Sequence, residues 1–112
     1  MEGKIFMSIL PFDARDGQIW MNGGMIPWGD SKTHILTHGL HYGSAVFEGV
    51  RAYNGKIFKL EEHTERLFKS AEILDMSIPF TEQEINDACK QTLEVNNIQD
   101  GYLRPVCWRG SE

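Results

Sequence analysis

Hydrophobic and polar residues follow one another along this 112-residue chain in patterns that predict strands near its start. Gln18 to Met21 is a short alternating segment, as expected of a half-buried strand. Asn22-Gly23-Gly24 follows as a strong hairpin signal, and Met25 to Trp28 is the predicted return strand. Gly29 to His41 has the composition of a loop with room for a helical turn.

A second strand pattern spans Val46 to Tyr53. The pair Asn54-Gly55 predicts a tight turn from it into a partner strand over Lys56 to Lys59. Tyr102 to Trp108 is the predicted final strand. Pro105 within it favours a sheet edge or a bulge, because proline cannot donate to a ladder.

Two segments between these strands have helical periodicity. Leu60 to Met76 repeats apolar residues along one stripe, and a capping box of Thr81 and Glu84 starts a second helix. The predicted buried positions are Leu60, Thr64, Leu67, Phe68, Ala71 and Leu74 in the first helix and Ile85, Ala88, Cys89, Thr92 and Leu93 in the second. The order of elements indicates an α+β fold with a mainly antiparallel sheet and two helices packed on one side, in a single domain over residues 1–112.

Charge and composition bear on three questions: nucleic-acid binding, membrane insertion and the cellular compartment. The net charge of -5 comes without any basic block, so nucleic acid is not expected as a partner. The apolar run from Ile5 to Leu10 is too short to span a membrane. Two cysteines, Cys89 and Cys107, are too few for a disulfide scaffold and lack the spacing of a metal site, which favours two reduced thiols and a cytoplasmic setting.

One face of the strand predicted over residues 46–53 carries candidate binding residues. Alternation places Phe47, Gly49 and Arg51 together, and Gly49 would let a ligand approach the backbone closely. A bulge at a sheet edge with Arg51 in solvent fits the same spacing. Glu48 falls on the opposite, otherwise apolar face, so it needs a hydrogen-bond partner, a place near the edge, or a proton.

Two further cationic positions are candidates for anion binding. Tyr102 and Arg104 share one face of the final predicted strand, about 7 Å apart along it. A phenol and a guanidinium so placed can hold a carboxylate, whereas a solvent-facing pair is the structural alternative. Arg66 lies off the apolar stripe of its helix, and a binding role for it would require a fixed anion beside it.

Other motifs do not indicate a specific chemistry. His34, His38 and His41 are spaced i, i+4, i+7, but glycines interrupt them and no acidic residue falls into register, so no metal site is predicted. Ser44 has His41 nearby in sequence without a third group to orient that histidine. The chain contains no phosphate loop, dinucleotide fingerprint or nucleophile elbow.

Three segments together resemble a known family. They are HGLHYGSAVFEGVRAY (38–53), LEEHTERLFKSA (60–71) and GYLRPVCWRG (101–110). They are similar to the N-terminal part of branched-chain-amino-acid aminotransferases, which are fold-type IV enzymes that use pyridoxal phosphate. The resemblance spans about Ile19 to Gly110. It implies transfer of an amino group between leucine, isoleucine or valine and 2-oxoglutarate.

Two alternatives stay open beside that reading. D-amino-acid aminotransferases and aminodeoxychorismate lyases share the layout of the fold. A non-catalytic module that binds a phosphorylated small molecule, or serves only in assembly, belongs to another class.

The resemblance also implies roles for individual residues. Arg66 matches the arginine that binds the cofactor phosphate. Phe47 matches an aromatic residue that lines the pocket for the branched side chain, and Tyr42 matches a tyrosine that completes that pocket from the partner subunit. The full-length protein is therefore expected to be a homo-oligomer that acts on amino acids and 2-oxo acids.

Four more positions match the substrate-binding residues of the family. Gly49 would supply backbone at the pocket wall, and Arg51 would orient polar neighbours. Tyr102 would contact the substrate α-carboxylate, and Arg104 would receive the second carboxylate of glutamate. The Schiff-base lysine of the family lies in a C-terminal domain that this chain does not contain. No catalytic residue is therefore expected within these residues, and the chain alone is expected to be inactive.

Overall fold

The computed structural model describes residues 11–111 of the chain. They fall into two compact units, residues 11–32 and residues 33–111. The apolar run from Ile5 to Leu10 lies outside the described residues. Among residues 11–111, no helix has the length and apolar character needed to cross a membrane. The single domain expected from the sequence stays a prediction.

The first unit contains the predicted N-terminal hairpin. Strand β1 (Gln18–Met21) pairs antiparallel with strand β2 (Gly24–Pro27). Asn22 and Gly23 between them have φ values of 51° and 103°, which is the left-handed geometry that an Asn-Gly turn provides. The hairpin is thus confirmed, although the return strand begins one residue earlier than predicted. Trp28 is not part of it, because it begins a 3-10 turn.

The second unit contains three helices and five short strands among the described residues. In chain order they are α1 (His38–Tyr42), β3 (Ala45–Phe47), β4 (Val50–Tyr53), β5 (Lys56–Ile57), α2 (Leu60–Ile73), α3 (Glu82–Val95), β6 (Gly101–Leu103) and β7 (Val106–Trp108). Strand β3 pairs with β7, and β4 lies between β5 and β6. All these pairs are antiparallel, so the predicted α+β class is confirmed. Helix α1 is the helical turn allowed for in the predicted loop.

The two long strands predicted over Val46 to Tyr53 and Tyr102 to Trp108 are each interrupted, so the prediction of continuous strands was wrong. The pairing register is the same on both sides of the interruption. At the interruption the backbone N–H of Glu48 donates to the carbonyl of Pro105 over 2.9 Å. Pro105 has no N–H to return that bond, so the ladder is broken there.

Helix α3 begins as its sequence predicts. The backbone N–H of Glu84 donates to Thr81 Oγ1 over 3.1 Å, and the backbone N–H of Thr81 donates to Glu84 Oε1 over 2.9 Å. This reciprocal pair is the predicted capping box, and it satisfies donors that would otherwise lack partners at the helix start.

Helix α2 is shorter than predicted, because it ends at Ile73 and not at Met76. Asp75 adopts a left-handed φ of 58°, and the backbone N–H of Met76 returns to the carbonyl of Ala71 over 2.9 Å. This turn buries Met76 and leaves Leu74 40% exposed. The prediction that Leu74 is buried was therefore wrong.

The core of the second unit lies between the helices and one face of β4 and β6. Its buried apolar residues are Val50, Ala52, Leu60, Leu67, Ala71, Met76, Ile85, Ala88, Cys89, Leu93 and Leu103. One polar pair is buried with them, because the Thr64 hydroxyl on α2 donates to Asn86 Oδ1 on α3. The helical stripe predicted Thr64 as buried but missed Asn86. The pair links the two helices at a defined point.

Candidate functional site

The alternation predicted for residues 46–53 persists through the interruption between β3 and β4. Glu48, Val50 and Ala52 are buried, at 5%, 0% and 0% exposure. Phe47, Gly49, Arg51 and Tyr53 are exposed. One face therefore packs into the core, and the other is available to a ligand.

Four residues on the exposed face form one contact cluster, which we call the wall: Phe47, Gly49, Tyr102 and Arg104. Arg104 donates from Nε and Nη2 to Tyr102 Oη over 3.1 Å and 2.7 Å. The same guanidinium lies 4.1 Å from the centroid of the Phe47 ring. A Cβ atom on Gly49 would be only 2.6 Å from Tyr102 Oη. The residue at position 49 therefore has to lack a side chain for Tyr102 to lie where it does.

The wall has the chemistry to hold a carboxylate beside an aliphatic group. Because Tyr102 Oη accepts hydrogen bonds from Arg104, its own O–H proton is available to donate to a ligand. Arg104 adds a fixed positive charge, and arginine binds carboxylates through a planar fork of donors. Phe47 is 55% exposed and supplies an apolar surface next to these groups.

Arg51 lies next to the wall but leans away from it. Its Cα atom is paired with that of Tyr102 across β4 and β6. Its guanidinium is 5.8 Å from the centroid of the Tyr53 ring, on the far side along its own strand. The structure thus places Arg51 beside the predicted carboxylate site without joining it to the Tyr102–Arg104 pair.

Arg66 has a fixed anion beside it, and that anion is Glu48. Arg66 Nε donates to Glu48 Oε2 and Arg66 Nη2 donates to Glu48 Oε1, both over 2.8 Å. His63 Nδ1 is 2.7 Å from Glu48 Oε1. The hydrogen bond from Arg66 lowers the pKa of Glu48, against the effect of burial, and the bond from His63 lowers it further. Of the options left open for Glu48, the structure selects hydrogen-bond partners.

Arg66 retains capacity for a second anion. The side chain of Glu48 is 4% exposed, whereas that of Arg66 is 68% exposed. Only the Nε–Nη2 edge of the guanidinium faces the carboxylate. The Nη1 group and the second hydrogen of Nη2 make no hydrogen bond to any residue between 11 and 111, and they suit a phosphate oxygen.

The residue that binds Arg66 is flanked in sequence by two residues of the wall. Glu48, which holds Arg66, lies between Phe47 and Gly49, which belong to the wall. Because alternate residues point to opposite faces, the carboxylate lies on the buried face and its two neighbours on the exposed face. The interruption between β3 and β4 is therefore the place where the two candidate anion sites adjoin.

Tyr42 lies at the end of helix α1 and is 76% exposed, and its ring contacts within residues 11–111 are with His38 and His41. Its ring packs on that of His38, with centroids 4.5 Å apart, and His38 Nδ1 shares a hydrogen bond of 2.5 Å with Ser44 Oγ. His41 is the histidine nearer to Ser44 in sequence. His41 Nε2 instead contacts the carbonyl of Ile35 over 2.7 Å.

No group of three or more potential metal ligands occurs within residues 11–111.

Comparison with known proteins adds to this geometry. The family model for amino-transferase class IV matches residues 45–112. The branched-chain-amino-acid aminotransferase of Pseudomonas aeruginosa is 50% identical over 102 residues, which is 88% of this chain and 33% of that protein. The chain spans about a third of the length of the curated relatives it matches.

Solved structures of similar proteins share the fold of this chain. The T.th. branched-chain amino acid aminotransferase complexed with N-(5'-phosphopyridoxyl)-L-glutamate has a TM-score of 0.84 and 43% identity, over 88% of this chain and 35% of that one. The same enzyme complexed with 4-methylvaleric acid has a TM-score of 0.84 and 44% identity, over 88% and 34%. The resemblance seen in the sequence is thus confirmed, and the chain belongs to the class IV aminotransferase family.

Proposed function

We propose that these 112 residues are the N-terminal part of a pyridoxal-phosphate-dependent branched-chain aminotransferase. The full-length enzyme would move an amino group between leucine, isoleucine or valine and 2-oxoglutarate. The observation that carries the proposal is the wall, where the Tyr102–Arg104 pair lies directly against the ring of Phe47. The relatives and solved structures named above support the same assignment.

The wall suits an enzyme that must accept two kinds of substrate. Phe47 would pack against an aliphatic side chain, which favours leucine, isoleucine or valine. Tyr102 would donate to the α-carboxylate, and Arg104 would meet the second carboxylate of glutamate. Arg104 is exposed, so it would not be left buried and unpaired when an aliphatic substrate is bound. The glutamate adduct and the 4-methylvaleric acid in the similar structures support both halves of this recognition.

Arg66 would hold the phosphate of the cofactor. Its Nη1 side is exposed and uncommitted within the described chain, and a phosphate binds such a guanidinium through charge-assisted hydrogen bonds. When bound, pyridoxal phosphate supplies the electron sink that amino-group transfer requires. The residues described here would bind and orient, whereas the lysine that moves the proton would lie outside this chain.

The cofactor assignment is tested by comparing Arg66→Ala with Lys69→Ala in the full-length enzyme. Lys69 lies on the same helix and has a comparable exposure of 72%, but it is near Glu65 and not Glu48. Loss of the guanidinium should weaken pyridoxal phosphate binding about 100-fold, measured by fluorescence titration, because a dianion would lose a charge-assisted partner. Lys69→Ala should stay within about twofold of wild type. Equal affinities for wild type and Arg66→Ala would refute the assignment.

The substrate class is tested separately with a panel of amino acids. A branched-chain enzyme should transaminate L-leucine and L-glutamate and not D-alanine. Preference for D-alanine, or release of pyruvate from aminodeoxychorismate, would assign the chain to a sister group of the same fold. A gene whose reading frame stops at Glu112 would instead favour a non-catalytic binding module.

Homo-oligomer formation and a cytoplasmic location belong to the same proposal. Four apolar residues in and before α1 are between 62% and 76% exposed, namely Ile35, Leu36, Leu40 and Tyr42. Such surface favours self-association, which is expected of these 112 residues in isolation. Light scattering that finds only monomer at high concentration would contradict it. The two free thiols support the proposed compartment.

A further inference from the structure

Glu48, His63 and Arg66 form a connected cluster at the interruption between β3 and β4. His63 and Arg66 are three residues apart on α2, so their side chains share one face of the helix. Both reach the same carboxylate, at 2.7 Å from His63 Nδ1 and 2.8 Å from each of two Arg66 nitrogens. Every contact of the cluster converges on Glu48.

The Glu48 end of the cluster is buried, and the Arg66 end is exposed to solvent. The side chain of Glu48 is 4% exposed and accepts bonds on both oxygens, whereas that of Arg66 is 68% exposed. Since its lowered pKa keeps Glu48 ionised near neutral pH, the carboxylate only accepts, and the shared hydrogen must lie on His63 Nδ1. Two parallel hydrogen bonds to one carboxylate fix the plane of the guanidinium as well as its position.

We propose that Glu48, oriented by His63, is a positioning residue that holds Arg66 with its Nη1 side directed outward to receive a phosphate monoester. The inference rests on the proposed function, in which that monoester is the cofactor phosphate. Glu48 does not touch the phosphate, because the guanidinium lies between them. Its effect is to order a long, exposed side chain before the ligand arrives, which removes an ordering cost from binding.

Replacing Glu48 should change phosphate affinity in opposite directions under two explanations, charge repulsion and positioning, so the direction of the change distinguishes them. Glu48 carries a negative charge near the site of a dianion, so simple repulsion predicts tighter phosphate binding when Glu48 is removed. Positioning predicts weaker binding. Glu48→Asp separates the two effects, because it keeps the charge but shortens the side chain by one methylene, so that the carboxylate no longer reaches both Arg66 nitrogens.

The test is a double-mutant cycle in the full-length enzyme with pyridoxal phosphate as the probe. Dissociation constants are measured by fluorescence titration for wild type, Glu48→Asp, Arg66→Ala and the double variant. We expect Glu48→Asp to weaken binding about tenfold when Arg66 is present and less than about twofold when residue 66 is alanine. Circular dichroism confirms folding. If Glu48→Asp fails to fold, Glu48→Gln replaces it. Glu48→Gln also removes the repulsive charge, so weaker binding by this variant still indicates positioning, whereas tighter binding would overturn it.

The phosphorus NMR signal of the bound cofactor gives a second readout. Glu48→Asp should shift or broaden the phosphate resonance. His63→Asn, whose amide N–H can replace the Nδ1–H bond, should retain the wild-type resonance. Unchanged affinity and resonance in Glu48→Asp, or an equal loss of affinity with and without Arg66, would overturn the inference. If Arg66→Ala itself left the affinity unchanged, the proposed cofactor site would fail instead.

Discussion

Replacing Gly49 with alanine tests whether the wall is a binding surface. The new Cβ atom would lie 2.6 Å from Tyr102 Oη and 3.1 Å from two ring carbons. Ordinary van der Waals contacts begin at ~3.5 Å, so the phenol has to retreat by about 1 Å. Its hydrogen bonds to Arg104 are 2.7 Å and 3.1 Å long, and the retreat would stretch them beyond a useful length. The backbone at Gly49 is not left-handed, so the substitution adds contact and not conformational strain.

The consequence should be large for binding and small for stability. Tyr102 is 49% exposed and can swing towards solvent, so we expect the free energy of unfolding to change by less than about 1 kcal/mol. Substrate carboxylate binding depends on the exact place of the phenol, and kcat/KM for L-leucine should fall at least about tenfold in the full-length enzyme. Steady-state kinetics and thermal unfolding measure the two quantities on the same samples.

Two matched variants separate this effect from a general cost of alanine. Gly24→Ala makes the same chemical change at a strand position with no atom within 4 Å of the added Cβ, so kcat/KM should not change. In a Tyr102→Ala background, Gly49→Ala should have no further effect. Unchanged kinetics in the single variant, or an equal loss in both backgrounds, would refute the reasoning.

Three other predictions concern stability and reactivity. Thr81→Ala removes the capping box of α3 and should lower the free energy of unfolding by about 1 kcal/mol in urea denaturation. Thr64→Val keeps the shape of the side chain but leaves the buried amide of Asn86 without its donor, so a loss of about 2 kcal/mol is expected, and no loss would contradict the buried pair. Burial raises the pKa of the Cys89 thiol to about 11 and also raises that of Cys107, which is less buried. At pH 8 iodoacetamide should therefore label Cys107 first, as mass spectrometry can show, and labelling of Cys89 should accelerate as the pH approaches 11.

Local elements of this protein were readable from its sequence, because their causes lie within a few residues. Asn22-Gly23 and Asn54-Gly55 predicted two turns, and all four residues adopt positive φ. Thr81 and Glu84 predicted the start of a helix and form its capping box. The alternation over residues 46–53 predicted which side chains are buried, since the period of a strand depends only on the chain itself.

The contacts that define the site depended on packing between distant segments. Glu48 is 18 residues from Arg66 in sequence, and nothing near it along the chain indicated which cation would reach its carboxylate. The sequence did not indicate the partner of Ser44 for a similar reason, because the fold of α1 and not proximity in sequence brings His38 to it. Both long strands are interrupted at the same place because Pro105 lies opposite Glu48. That pairing is set by the register between the two strands, which the sequence of either strand does not show.

The sequence by itself determined the turns, the helices, the alternation of faces and, by resemblance, the family. Tertiary structure alone decided that the Tyr102 phenol packs closely against Gly49 and that Arg66 binds the buried carboxylate of Glu48. The physical reason is a difference in range. Backbone propensity and side-chain period act between near neighbours, whereas hydrogen bonds and close contacts across β4, β6 and α2 exist only once those elements have packed together.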